Sequence, residues 1–127
     1  MGVPRDLEHA VEWYRKTAES GLAQPQAALT RVADTGLPSA QHVLGMTWEY
    51  GWGSMKNEPE AVTWYRKAAE QGYPAAEYDL GRMLADGRGV AKNEAEAEAW
   101  FRRAAEKGIR EAQQRLETSG ALNAPRK

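Results

Sequence analysis

Two glycine clusters, Gly51-Trp52-Gly53 and Gly87-Arg88-Gly89, are the first features in this chain that could do chemistry. Closely spaced glycines can present backbone N–H groups to a phosphate. That cradle, however, is a longer turn that closes on Gly-Lys-Ser or Gly-Lys-Thr after a strand. No such run is present, so both clusters read as tight turns. His9 and His42 are the only histidines, and neither has a histidine or cysteine at metal-ligand spacing. Cysteine is absent, which removes thiol catalysis, disulfide staples and cysteine-ligated metal. No serine, histidine and carboxylate set stands out, and no pair of acids sits isolated in an apolar setting. Glu94, Glu96 and Glu98 read as a solvated helix face, with Glu98 and Arg102 supporting each other at i, i+4. These residues predict no enzyme, no metal site and no cofactor.

The composition agrees with a chain that holds rather than converts. Its 127 residues suit one compact domain or a short repeat array. Hydrophobic residues make up 42% and charged residues 28%. A membrane span needs an apolar run of roughly 18 residues, and nothing here approaches that. With 17 basic and 18 acidic residues the net charge is −1. The basic excess or stripe of a nucleic-acid binder is missing. The first residues, Met1 to Asp6, have no apolar segment and do not read as a signal peptide.

What positions these side chains is an internal repeat. Trp64-Tyr65-Arg66-Lys67-Ala68-Ala69-Glu70-Gln71-Gly72 recurs at an offset of 36 as Trp100-Phe101-Arg102-Arg103-Ala104-Ala105-Glu106-Lys107-Gly108. Leu44-Gly45 matches Leu80-Gly81, and Lys56-Asn57 matches Lys92-Asn93, at the same offset. A third copy of the second half, Trp13 to Gly21, opens the chain. Each unit reads as two helices. The first runs from about Pro38 to Tyr50, and again from about Pro74 to Asp86, with proline in the first turn, where its missing N–H costs nothing. The second follows the N-cap candidates Asn57 and Asn93, with Glu60 and Glu96 three positions on, and ends at Gly72 and Gly108. Gly45 and Gly81 lie inside the first helix at a cost in propensity, which predicts close approach of a neighbouring helix. Trp13, Trp64 and Trp100 share one position and are expected in the core, each able to remove about 150–250 Å² from water.

Leu-Gly, an apolar or aromatic residue three positions on, Gly-x-Gly, Ala-x-x-Trp-Tyr/Phe, Ala-Ala and a closing glycine together resemble the Sel-one-like repeat family. This family is related to the tetratricopeptide repeats. The resemblance implies an all-α fold, an α-solenoid of antiparallel helix pairs with about seven helices in a right-handed superhelix. The array spans 1–119: a half-unit at 2–21, an irregular fused helix at 22–36, full units at 37–72 and 73–108, and a C-terminal half-unit at 109–119. A disordered tail is expected at 120–127. The fused stretch is the main departure, because Gly36 follows Gly21 after less than half of a full unit. A second departure is Leu84 in the place of Trp48.

In the related tetratricopeptide arrays the first helices line a concave groove. Carried over by position, the partner-binding groove here comprises Ser39, His42, Met46, Glu49 and Tyr50, then Tyr78, Arg82 and Asp86, with Gln114 and Glu111 from the last half-unit. Ala75 and Ala85 fall on the same face. Trp52 is a further candidate, an exposed anchor, since its counterpart Arg88 shows that the repeat needs no aromatic there. The resemblance implies a protein-binding scaffold or adaptor that receives a peptide or a partner surface; family members commonly assemble complexes in bacterial envelopes or eukaryotic quality control. The alternatives are a self-assembling module, in which one chain's last helix completes the next chain's opening half-unit head to tail, and a fragment of a longer array. A remote alternative is a hydrolase acting on a lactam, an activity linked with cysteine-rich relatives whose cysteines this chain lacks. The compartment follows from the start: cytoplasm if Met1 is native, periplasm if the chain is a piece of an exported protein.

Overall fold

A computed structural model describes residues 5–20, 26–52 and 55–118. Among them are seven helices and no strand: α1 (Arg5–Ser20), α2 (Gln26–Asp34), α3 (Pro38–Tyr50), α4 (Glu58–Glu70), α5 (Pro74–Asp86), α6 (Glu94–Glu106) and α7 (Arg110–Thr118).

Local chemistry sets the helix limits. Pro38 and Pro74 open α3 and α5, whose N-cap positions, Leu37 and Tyr73, make no side-chain cap. The Asn57 and Asn93 side chains each accept a hydrogen bond from the N–H three residues on, Glu60 at 3.1 Å and Glu96 at 3.0 Å. These bonds satisfy donors that a helix start leaves unpaired. After α3 and α5 the chain turns through Gly51 (φ 72°) and Gly87 (φ 66°). A β-carbon disfavours that left-handed conformation.

The helices stack in pairs, α3 on α4 and α5 on α6, and each pair leans on the next first helix. Ring-on-glycine contacts set the closeness of each pair. A β-carbon at Gly45 would stand 2.6 Å from Cδ1 and Cε1 of Tyr65, and one at Gly81 would stand 2.7 Å from Cε1 of Phe101. The interior glycines therefore make the room that the sequence pattern predicts. A single short helix, α2, occupies the described part of the shortened stretch. It ends before Gly36 (φ 96°) as α4 ends before Gly72 (φ 85°). Residues 22–25 of the expected fused helix and the expected tail at 120–127 lie outside the described residues.

Two apolar clusters form the core. Leu29, Ala33, Leu37, Val43, Leu44 and Trp64 join Val11 of α1 in one; Tyr65, Leu80, Met83, Leu84, Phe101 and Leu116 anchor the other. The equivalent tryptophans do not share a fate. Trp64 is 7% exposed and Trp100 is partly buried, but Trp13 is 59% exposed, touching Tyr14 edge-on at 5.3 Å. The expectation of a buried Trp13 is corrected: Trp64 is covered within the cluster that α2 and α3 build, and no described helix lies against Trp13 in that way. Among the described residues, no helix is long and apolar enough to cross a membrane.

Candidate interaction surface

The first helices α3 and α5 bring four polar side chains, His42, Glu49, Asp79 and Arg82, within reach of one another, and Tyr65 of α4 and Arg88 of the turn after α5 join them. Glu49 turns inward and is 1% exposed. Its carboxylate accepts two hydrogen bonds from Arg82, at 2.9 and 2.8 Å, and one from the Tyr65 hydroxyl at 2.6 Å. Arg88 approaches it at 3.0 Å. Arg82 also donates to Asp79 at 3.2 Å, and the other Asp79 oxygen pairs with His42 Nε2 at 2.6 Å. The His42 ring is packed between Tyr65 and Tyr73, with centroids 5.7 and 5.5 Å away.

Burial works against the charge on Glu49. The hydrogen bonds from Arg82 and Tyr65, with the charges of Arg82 and Arg88, outweigh it and hold the carboxyl below its ordinary range. Burial, reinforced by Asp79 and Glu49, pushes the Tyr65 hydroxyl far above the usual phenol range, so it stays a donor. The network thus ties α3, α4 and α5 together through paired charges that a low-dielectric setting makes costly to separate.

Beside this network a cavity of about 320 Å³ opens between α1, α3 and the start of α5. Val11, Val43, Met46 and Tyr73 give it apolar walls, and Glu12, Arg15, Ser39 and His42 give it polar ones. Arg15 pairs with Glu12 at 2.6 Å and with Glu19 at 3.2 Å. The bond from Arg15 holds the Glu12 carboxyl below its ordinary range against slight desolvation.

Of the groove residues placed by position, three meet in this cavity: Ser39, His42 and Met46. The remaining ones sit elsewhere. Glu49 is buried under the arginines, so its carboxylate is a clamp between helices and offers nothing to a ligand in this arrangement. Tyr50 is 46% exposed at the end of α3 and stacks on the half-buried Trp52, ring centroids 5.3 Å apart. The expected exposed anchor is therefore half of an aromatic pair. Tyr78 is half-buried against Phe101 at 5.8 Å. Arg82 belongs to the network. Asp86 lines a separate cavity with α6 and α7, and Gln114 and Glu111 are exposed on α7 and line neither cavity.

The sequence reading missed Glu12, Arg15, Tyr73 and Asp79. For Asp79 a signal existed. It stands one repeat after Val43, so a carboxylate replaces a core valine, and Arg82 likewise replaces Met46. A charged pair on a repeat's apolar stripe points to a buried partner, here Glu49. Nothing in the sequence marks α1 as part of this surface, because its helix resembles the second helices by pattern yet packs on α3. Among the described residues, no group of three histidine, aspartate or glutamate side chains could hold a metal ion.

Comparison with known proteins accounts for this architecture. The Sel1 repeat family matches residues 1–22, 38–73 and 74–109. The crystal structure of a Sel1 repeat protein from Oxalobacter formigenes is similar, with 38% identity and a TM-score of 0.71 over 82% of this chain and 44% of that one. A protective antigen of uropathogenic Escherichia coli displaying an SLR fold shares 31% identity, with a TM-score of 0.74, over 98% of this chain and 32% of that one. Cysteine rich protein B of Helicobacter pylori, at 24% identity and a TM-score of 0.70, covers 91% of this chain and 98% of its own, and that likeness carries the fold alone. The chain thus spans less than half the length of the first two relatives. No curated protein matches it significantly.

Proposed function

The chain belongs to the Sel1 repeat family, whose members generally serve as protein-interaction scaffolds, and we propose that it binds a peptide or partner surface in the cleft between α1 and α3. The observation that carries this reading is the composition of that cleft. Val11, Met46 and Tyr73 offer apolar and aromatic contact, while Glu12, Arg15 and His42 offer charge and hydrogen bonds at its rim. This mix of an apolar floor and a polar margin characterises protein-binding surfaces. The network behind it supplies a rigid wall, since Asp79, Arg82 and Glu49 are satisfied by one another.

A photo-reactive residue placed at Glu12 tests the proposal against one placed at Lys67, on the second-helix side. Covalent capture of the same partner from Glu12, and not from Lys67, supports the cleft. Capture from Lys67 alone sends the binding surface to the second helices.

Head-to-tail self-assembly meets an obstacle in this geometry. A second helix pairs with a first helix through an aromatic ring on a glycine, Tyr65 on Gly45 and Phe101 on Gly81. On α7 the matching position is Glu117. Its side chain stands where Tyr14 of another copy would have to lie, so the repeat's own pairing does not carry over to α7.

A further inference from the structure

Trp64 and Trp100 are held by one scheme. Trp64 donates its indole N–H to the Glu60 carboxylate at 3.2 Å, and the Lys67 ammonium lies 4.3 Å from its ring centroid. Trp100 donates to Glu96 at 3.2 Å, and the Arg103 guanidinium lies 4.9 Å from its ring. Both rings pack on the apolar clusters of the core. The cation meets the negative face of the ring and the carboxylate meets its N–H edge, so the two charges act on different parts of one side chain. Glu96 accepts from Arg66 at 2.9 Å through the same oxygen that takes Trp100. A carboxylate already paired with an arginine therefore still accepts an indole N–H.

The cleft between α1 and α3 presents the same three elements without an indole among its lining residues. Glu12 and Arg15 stand at its rim 2.6 Å apart, and the Glu12 side chain is half-exposed. Val11, Val43, Met46 and Tyr73 form the apolar floor. That floor departs from the next unit, where α5 carries Asp79 and Arg82 in the places of Val43 and Met46. Asp79 and Arg82 fill their side of the array with bonds to His42 and Glu49. Val43 and Met46 leave an apolar surface instead, and a thioether is a favourable neighbour for the edge of an aromatic ring. The volume of about 320 Å³ is near the lower end for ligand pockets and suits one large side chain, not a run of them. The charged lining groups all have partners within the chain: Arg15 holds Glu12 and Glu19, and His42 holds Asp79. The cleft thus has no unpaired charge to offer an ionic anchor, whereas an indole uses the Glu12–Arg15 pair without breaking it.

We infer that the α1–α3 cleft docks a tryptophan side chain presented by a partner segment, its ring between Met46 and the Arg15 guanidinium and its N–H on Glu12. The inference rests on the function proposed above and names the anchor of that partner.

The probe is the synthetic peptide Gly-Ser-Trp-Ser-Gly, titrated into the isotope-labelled full chain and followed by the methyl signals of Val11, Val43 and Met46. Saturable shifts are expected there, and lysine or glutamate at the central position should weaken binding at least about tenfold. Benzothienylalanine keeps the fused ring but puts sulfur in place of the N–H, and should bind about fivefold more weakly. Arg15→Met, which removes the cation and keeps an apolar stem, should weaken binding about threefold. Met46→Arg, which gives α3 the residue that α5 has there, should abolish the shifts of Val11 and Val43. Circular dichroism confirms that both variants keep their helices, and Glu111→Gln on α7 serves as the variant that leaves binding unchanged. Equal binding of the tryptophan, lysine and glutamate peptides at these methyl groups overturns the tryptophan anchor and leaves the cleft as a binding surface. Undiminished binding of the benzothienyl peptide overturns it as well. Absence of saturable shifts up to about 5 mM peptide, weaker than any affinity useful for recognition, overturns the inference alone, since photo-capture through position 12 judges the cleft without it.

Discussion

The ring of Tyr65 lies directly on Gly45, so close that a β-carbon there would stand 2.6 Å from two ring carbons. An alanine in a helix interior ordinarily gains about 1 kcal/mol over glycine. Here the ring is held by its hydroxyl on Glu49 and by a fully buried setting, so it cannot swing aside. Overpacking costs about 1–3 kcal/mol. At 2.6 Å the upper end of that range applies, and Gly45→Ala is expected to destabilise by a net ~2 kcal/mol, read as a lower urea midpoint. Gly81→Ala should do the same, and Phe101→Leu should partly rescue it, since Phe101 has no hydroxyl to hold. A neutral or stabilising Gly45→Ala would mean that the pair does not set the helix spacing.

Glu49 and Arg82 make the second test. Removing one partner of a buried pair leaves the other uncompensated, and Glu49→Gln is expected to cost about 3 kcal/mol. The sign of its pH dependence follows from its carboxyl being held below the ordinary range in the folded chain. Such a group contributes its full stability above its unfolded value of about 4.3 and loses it as pH falls through the depressed folded value. Urea midpoints measured from neutral pH down to about pH 2 should therefore fall less steeply in Glu49→Gln than in the unaltered chain below pH ~4. Parallel slopes would contradict the role assigned to Glu49.

The helix limits were legible because they depend on neighbours in the chain. Pro38 and Pro74, Asn57 and Asn93, and the glycines after each helix act within a few residues of where they stand. Gly45 and Gly81 were legible as close approaches because the repeat shows them twice. The network was not. Glu49 finds Arg82 in the next unit, far along the sequence, and only its own unit carries it, since the next has Ala85. Repetition reveals what every unit needs and is silent on what one unit does alone. The place of α1 was illegible for a related reason: its pattern is that of a second helix, whereas the shortened stretch after it sets its packing on α3.

The tryptophans turn that lesson into a measurement. By sequence Trp13 and Trp64 are equivalent, but one is 59% exposed and the other 7%. Trp64→Ala should cost about 3–5 kcal/mol, as large-to-small changes in a core do. Trp13→Ala should stay within about 0.5 kcal/mol, as surface changes do. Equal losses in thermal unfolding would mean that α1 is covered in solution by something other than the described helices.

A glutamine that bonds back to the preceding helix recurs along the array with one exception. Gln41 donates to the Ala33 carbonyl at 3.2 Å, and Gln113 donates to the Ala105 carbonyl at 3.1 Å. Between them, one repeat from each, stands Glu77. A carboxylate cannot donate, and Glu77 Oε1 is buried without a hydrogen-bond partner. Its other oxygen accepts from Lys107 at 2.7 Å, and Lys107 also donates to the Gly72 carbonyl at 3.0 Å. One unit earlier Gln71 takes the place of Lys107, donating to Gln41 and to the Gly36 carbonyl, each at 2.8 Å. The double variant Glu77→Gln with Lys107→Gln rebuilds the earlier arrangement, with a donor aimed at the Ala69 carbonyl. It exchanges a half-exposed ion pair for satisfied neutral bonds, and a satisfied bond is worth about 1 kcal/mol. The double variant should melt at or above the temperature of the unaltered chain. Lys107→Gln alone, which leaves the Glu77 charge buried without its cation, should melt below it. If the double variant falls as far as that single one, the Lys107 ion pair outweighs the unsatisfied oxygen, and the glutamine pattern is not the more stable choice at this position.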